Sequence, residues 1–262
     1  MAEPHIIVQD LTMAYGAFVL QRNLTFTVNK GDVFIIMGGS GCGKSTLLRH
    51  LIGLQRPVKG KVFYGDVSLW DSAPEVRDNL TRRFGILYQS SALWSSMTLA
   101  ENIATILEGY KGLDPELIRK IVSLKLSLVG LAGFEEYYPS EISGGMKKRA
   151  GLARAMALDP EVLFFDEPSA GLDPINAHLL DQLILELRDS LGATVVMVTH
   201  ELPSIFAIGN NSVFLDAETK TMLATGDPKK LLEECRNPTV HSFLTRGQER
   251  TIRGTARGSE QA

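Results

Sequence analysis

Cysteine is scarce in this sequence. Of 262 residues only Cys42 and Cys235 carry a thiol, far apart and with no CxxC spacing or histidine-rich neighbour. That excludes a disulfide framework and a zinc site and points to a reducing compartment. Long apolar runs are missing too. The longest, Val33-Phe34-Ile35-Ile36-Met37, has the length of a buried strand, whereas a bilayer-spanning helix needs about 20 apolar residues. The opening Met1-Ala2-Glu3-Pro4-His5 shows no basic stretch, apolar segment and small-residue cleavage site in succession, so no signal peptide is expected and the cytoplasm is the expected compartment. An excess of positive charge is also absent. Lys and Arg number 27 against 30 Asp and Glu, a net −3, which supplies no field to hold a nucleic acid and excludes one as the expected partner.

What is there is a globular composition, 44% hydrophobic and 22% charged, which excludes intrinsic disorder. At about 150 residues per domain the length suits one large α/β unit or two small ones. His5 to Leu11 and Leu20 to Val28 alternate as strands do, about a turn at Tyr15-Gly16, and predict an antiparallel β region. Val33 to Met37 predicts a buried strand that ends at Gly38, followed by a helical pattern from Thr46 to Ile52. Pro57-Val58-Lys59-Gly60 reads as a turn and Phe84 to Tyr88 as a second buried strand. From there the pattern turns helical. Thr98 and Glu101 have capping-box spacing, and Asp114-Pro115 supplies an N-cap and a proline at the first helical position. A helical subdomain is expected over about 95–157. Beyond Asp159-Pro160, strands at Val162 to Phe165 and Thr194 to Val198 flank a helix from Pro174 to Ser190. The segment 247–262 holds no aliphatic residue but Ile252 and two alanines, a composition that does not build a core.

The chemistry is written in two places. Gly38-Gly39-Ser40-Gly41-Cys42-Gly43-Lys44-Ser45 matches G-x-x-x-x-G-K-[ST] in full and lies between a strand and a helix, as a phosphate-cradling loop must. Its glycines let backbone N–H groups turn inward and the helix start at Thr46 adds positive dipole. Lys44 reaches the β and γ phosphates, and the Ser45 hydroxyl can ligate Mg²⁺. At the end of the strand Val162 to Phe165, Asp166 and Glu167 follow a buried apolar run, where unpaired charge is costly. Asp166 is the natural Mg²⁺ partner, and Glu167 can polarise a water that attacks the γ-phosphate.

A second glycine-led helix start, Ile142-Ser143-Gly144-Gly145-Met146 followed by Lys147-Lys148-Arg149, resembles the signature motif of ATP-binding-cassette (ABC) ATPases. The remaining marks of that family come in order along nearly the whole chain. The resemblance implies an α/β P-loop NTPase (RecA-like) parallel core sheet with an N-terminal antiparallel β subdomain and an inserted helical one, spanning 1–246. It implies that Tyr15 stacks on adenine and that Gln89 binds Mg²⁺ or its water. It further implies that Ser169-Ala170-Gly171-Leu172-Asp173 is the D-loop and that His200 holds the γ-phosphate and the attacking water. The strings from Tyr138 to Met146 and from Asp166 to Ile175, and the ending Val240 to Leu244, look most like the Mla and Mce type phospholipid transporter ATPases. One departure is Met146, where the family has glutamine, which loses a hydrogen-bond donor.

Ser143, Gly144 and Gly145 form an anion site without a lysine of its own. In the ABC family such a site serves the ATP of a second cassette packed head to tail. The resemblance therefore implies a homodimer with two ATP and Mg²⁺. Its permease subunits are separate integral membrane chains, and the ATPase sits peripherally on the cytoplasmic face of the inner membrane. There is room for a small regulatory subunit and a lipid-binding periplasmic protein, and 247–262 is expected to reach the partner cassette through Arg250, Arg253 and Arg257. Two alternatives stand beside phospholipid transport. One is a cassette for another solute. The other is a non-transport ABC ATPase, which usually carries two cassettes in one chain or long coiled coils between loop and signature, neither of which is seen in this sequence.

Overall fold

The computed structural model describes residues 3–110 and 112–247. The chain opens with β1 (Pro4–Tyr15) and β2 (Phe18–Asn29), a long hairpin that turns at Gly16 and closes on the pair Tyr15 and Phe18. It continues through β3 (Val33–Gly38), α1 (Lys44–Leu51), β4 (Lys59–Tyr64), β5 (Val67–Ser68), α2 (Pro74–Thr81) and β6 (Phe84–Leu87). Three helices follow, α3 (Leu99–Glu108), α4 (Pro115–Leu128) and α5 (Gly144–Ala155). The second half alternates: β7 (Val162–Asp166), α6 (Pro174–Leu191), β8 (Thr194–Val198), α7 (Leu202–Ile208), β9 (Asn211–Asp216) and β10 (Thr221–Thr225). It ends with α8 (Pro228–Glu234) and α9 (Pro238–Leu244).

Two sheets result. The N-terminal one is antiparallel, in the order β2-β1-β4-β5. The second runs β10-β9-β3-β8-β7-β6 and is parallel except for β10 at its edge. Its central strands are apolar on both faces, as a covered parallel sheet requires. In β3 the alternation divides two cores. Val33, Ile35 and Met37 pack with the helices α3 to α6, while Phe34 and Ile36 pack with the antiparallel sheet and α1. The phosphate-loop strand is thereby gripped from both sides.

Local signals act where the sequence places them. Thr98 Oγ1 accepts from Glu101 N, and Glu101 Oε2 accepts from Thr98 N at 2.7 Å, a complete capping box on α3. Asp114 caps α4 with Pro115 behind it. Differences lie at the margins. Helix α1 begins at Lys44, because Gly43, in the left-handed region at φ 98°, already turns the chain into it. The expected turn at 57–60 ends as strand, since β4 pairs with β1 from Lys59 onward. The short elements β5 and α2 carry too little periodicity to be read in advance. Among the described residues no helix is long and apolar enough to cross a membrane.

Candidate functional site

The strands β3, β7 and β8 all run the same way and deliver Gly38, Asp166 and Val198 to one edge of the sheet. The connections leaving that edge carry the candidate residues, as expected at the carboxyl ends of parallel strands. They enclose a cleft of about 860 Å³ lined by the loop residues Gly38, Gly39, Ser40, Gly41, Gly43, Lys44, Ser45 and Thr46, with Tyr15, Gln89, Glu167 and His200 facing them.

The loop's shape is forced by its surroundings. Gly38, at φ 146°, leaves no room for a side chain, because a Cβ there would lie 2.2 Å from the carbonyl oxygen of Leu215. Cys42 faces the core rather than the cleft. It is fully buried, burial pushes its thiol up in pKa against the pull of Lys44, and its carbonyl accepts from Gln21 Nε2 at 2.8 Å. Its contribution to the loop is backbone. Lys44 folds over the loop and donates to the carbonyls of Gly38 and Gly39 at 3.0 and 2.9 Å. The start of α1 has no side-chain cap and no acidic residue in its first turn, so its leading amides and dipole are directed at the cleft. Tyr15 is half exposed at the mouth, its hydroxyl 3.2 Å from Thr46 Oγ1.

Across the cleft, Ser45 Oγ donates to Asp166 Oδ1 at 2.9 Å. The next residue, Glu167, adopts a left-handed backbone at φ 51°, a conformation costing about 1–3 kcal/mol away from glycine and found chiefly at functional sites. The twist separates its carboxylate from that of Asp166 and turns it to His200, whose Nδ1 lies 2.8 Å from Glu167 Oε1. The other oxygen, Oε2, is buried and has no hydrogen-bond partner among the described residues. A buried carboxylate oxygen left unpaired is expensive, and the residue that carries it lines the cleft.

The structure therefore brings together Tyr15, the loop, Gln89, Asp166, Glu167 and His200. It does not bring Ser143, Gly144 and Gly145 to them. Ser143 caps α5, accepting from Met146 N at 3.3 Å, and Gly145 lines a separate depression of about 270 Å³ with Arg149, Asn176 and Leu179. Asp173 caps α6, accepting from the amides of Ile175 and Asn176, each at 3.1 Å, and from Asn176 Nδ2, contacts that hold its carboxyl below the usual range.

The family described as ABC transporter matches residues 21–170, more than half of the chain. The chain belongs to the ABC transporter family. It is 38% identical over 239 residues to the Mycobacterium tuberculosis protein named probable ribonucleotide transport ATP-binding protein mkl, covering 91% of this chain and 66% of that one. To the Escherichia coli protein named intermembrane phospholipid transport system ATP-binding protein MlaF it is 36% identical over 236 residues, covering 90% of this chain and 87% of that one. Among solved structures, it resembles cbiO1 of Clostridium perfringens, part of an ABC transporter complex, with a TM-score of 0.80 and 26% identity over 88% of this chain and 92% of that one. It also resembles the dimeric bacterial ABC transporter cassette MJ0796, with a TM-score of 0.77 and 27% identity over 85% and 98%. The fold is accordingly that of an ABC cassette. The expected tail contacts of Arg250, Arg253 and Arg257 lie outside the described residues.

Two basic residues of α5 were not foreseen. Lys148 is buried, donates to the carbonyl oxygens of Gln89 and Glu167, and has its pKa lowered by burial against the opposing pull of the Glu167 carboxylate. Arg154 donates to the carbonyls of Ala92 and Ser91. Neither is assigned a role from the sequence alone.

Proposed function

We propose that this chain is the ATP-hydrolysing subunit of a membrane transporter whose permease is supplied by other chains. The observation that carries the reading is Glu167: a carboxylate 12% exposed, with one oxygen toward His200 and the other without a partner among the described residues, across one cleft from a lysine-bearing phosphate loop. Phosphates would lie on the amides at the start of α1 with Lys44 against their β and γ oxygens, and Tyr15 at the mouth would stack on the base. The Ser45–Asp166 pair offers two hard oxygen donors, and among the described residues no group of three or more His, Cys, Asp or Glu stands ready to hold a metal alone. That donor set fits Mg²⁺, which takes few protein ligands and the rest from phosphate and water. A bound Mg²⁺ would neutralise charge on the phosphates, held by Ser45 and Asp166 with Gln89 facing it. The Glu167 carboxylate accepts a proton from the water that attacks the γ-phosphorus. The bond to the β–γ bridging oxygen breaks, leaving ADP and phosphate, while His200 orients the carboxylate from its other side.

Ser143, Gly144 and Gly145, remote from this cleft, would complete the site of a second copy, and Asp173 would lie near the contact. The likeness to a dimeric cassette supports that pairing. The substrate is proposed to be phospholipid, on the strength of the MlaF relatives. The mycobacterial relatives favour a second reading, another solute, through the ribonucleotide transport of their name. The permease contact is proposed at the segment 90–97 beyond Gln89, where Trp94 is 59% exposed and Leu93 packs against the helical core. A small regulatory subunit and a lipid-binding periplasmic protein belong to the phospholipid reading, with the chain peripheral on the cytoplasmic face of the inner membrane.

The test is to purify the chain from detergent-solubilised membranes and assay ATPase activity together with the lipid that co-purifies. Hydrolysis lost on Glu167→Gln, with a permease and phospholipid in the eluate, supports the reading. A permease without lipid favours the second one. Replacing Trp94 with Ala should reduce the permease recovered.

A further inference from the structure

Lys148, Gly151 and Arg154 recur every three residues on α5 and share one face. That face lies against the segment that leaves β6. Arg154 donates from Nη1 to the Ala92 carbonyl at 2.7 Å and from Nη2 to the Ser91 carbonyl at 2.9 Å. Gly151 permits the approach, since a Cβ there would lie 2.8 Å from Leu87 Cδ1 and 3.0 Å from Ser91 Cβ. Lys148, only 7% exposed, donates to the carbonyl of Gln89 and, at 3.4 Å, to that of Glu167. Among the described residues no other side chain hydrogen-bonds to both. The backbones so held are unusual. Ser91 at φ 61°, Ala92 at φ 49° and Glu167 at φ 51° are left-handed without being glycine, a state that persists only where the surroundings enforce it.

We propose that Lys148 is a positioning residue that fixes the backbone of Gln89 and Glu167 from the helix headed by Ser143, so that docking at Ser143–Gly145 is felt at this chain's own hydrolytic carboxylate. The inference rests on the hydrolytic role given to Glu167 above. Lys148 lies about 7.5 Å along the axis from the N-cap Ser143 at 1.5 Å per residue, and a rigid helix carries a tilt at one end to the other. Lys148 touches Gln89 and Glu167 only at their backbone carbonyls and itself lies outside the residues lining the cleft. Its loss therefore acts on the setting of Glu167 and leaves the hold on ATP alone.

The experiment compares wild type with Lys148→Met, which keeps the length and removes the ammonium, and Lys148→Arg, which restores a donor. Steady-state ATPase kinetics and thermal unfolding are followed on each. Lys148→Met should lower kcat at least tenfold with KM for ATP within twofold of wild type, and Lys148→Arg should recover to within threefold. In a Glu167→Gln background, Lys148→Met should still give an ATP-dependent dimer. A Lys148→Met kcat within twofold of wild type, a loss that falls on KM instead, or a loss that Lys148→Arg shares in full overturns the inference. Should Lys148→Met not fold, Lys148→Gln carries the same split in its place. A wild-type protein with no ATPase activity would instead overturn the reading of Glu167, so the two failures are distinguishable.

Discussion

Two helices of this molecule begin at glycines, and they begin differently. At α1 the glycines are demanded by the chain itself: Gly43 is left-handed, and Gly38 has a carbonyl oxygen where its side chain would be. At α5 nothing in the chain demands them. Gly144 has ordinary helical geometry, and a Cβ there would meet no atom within 4 Å. A lysine folds over the first start, and among the described residues no lysine side chain hydrogen-bonds at the second. The contrast teaches that small residues can be kept either for what the fold places against them or for what arrives from outside. The second start carries the marks of a surface left clear for a visitor.

The comparison can be broken at its strongest point by Lys44→Ala. Losing its charge-assisted bonds to phosphate, worth about 1.5–3 kcal/mol each, should weaken nucleotide binding by roughly 10²-fold or more, with the fold intact by circular dichroism. Retained affinity in a fluorescent-nucleotide titration would mean that the first start does not depend on its lysine. Next in size is Glu167→Gln, which keeps shape and removes the proton acceptor. It should cost about 10²- to 10⁴-fold in kcat while binding survives, and size measurement should show a dimer that accumulates with Mg·ATP. Hydrolysis within threefold of wild type would move the base elsewhere, with His200 the next candidate.

The glycines themselves sharpen the contrast. Gly38→Ala must displace the backbone of β9 and abandon a φ that suits only glycine, so it should destabilise the protein by several kcal/mol, on the order of 2–5 from strain and overpacking together. Gly144→Ala should leave stability unchanged or raise it by up to about 1 kcal/mol, yet abolish the ATP-dependent dimer. Equal melting losses in the two variants would erase the distinction.

The smallest effect concerns Asp181 on α6, buried beside α7 with one oxygen unpartnered among the described residues. Burial pushes its carboxyl up in pKa, with Ser204 and His178 pulling it down. An acid whose folded pKa is raised contributes its full stability below the unfolded value, and that contribution is lost as pH rises through the folded one. Asp181→Asn should therefore melt higher than wild type at pH 7.5, and the gap should close as pH falls toward 4.

Much of the site was readable because it is local. The loop from Gly38 to Ser45 needs only a strand before it and a helix after it, and both patterns are strong within a dozen residues. Thr98 and Asp114 signal their helices through side chains that bond three residues ahead. What escaped was tertiary. Lys148 in Lys147-Lys148-Arg149 looks like solvated charge until β6 and β7 place two carbonyls above it. The backbone of Glu167 is left-handed because strand and loop force it, and no residue type announces that. Two-residue β5 lacks the length for periodicity to show.

The position of β3 in its sheet also governs how the molecule can be born. Its neighbours are β8 and β9, which begin at Thr194 and Asn211. The strand carrying the phosphate loop thus leaves the ribosome about 160 residues before either partner exists, roughly 8–30 s at ordinary elongation rates. Helices α3 to α5, whose contacts are local, can form in that interval, while the loop strand waits exposed and apolar on both faces. The candidate nucleotide site is then among the last parts of the chain to be assembled, and a nascent chain stopped short of β8 leaves that strand without either neighbour.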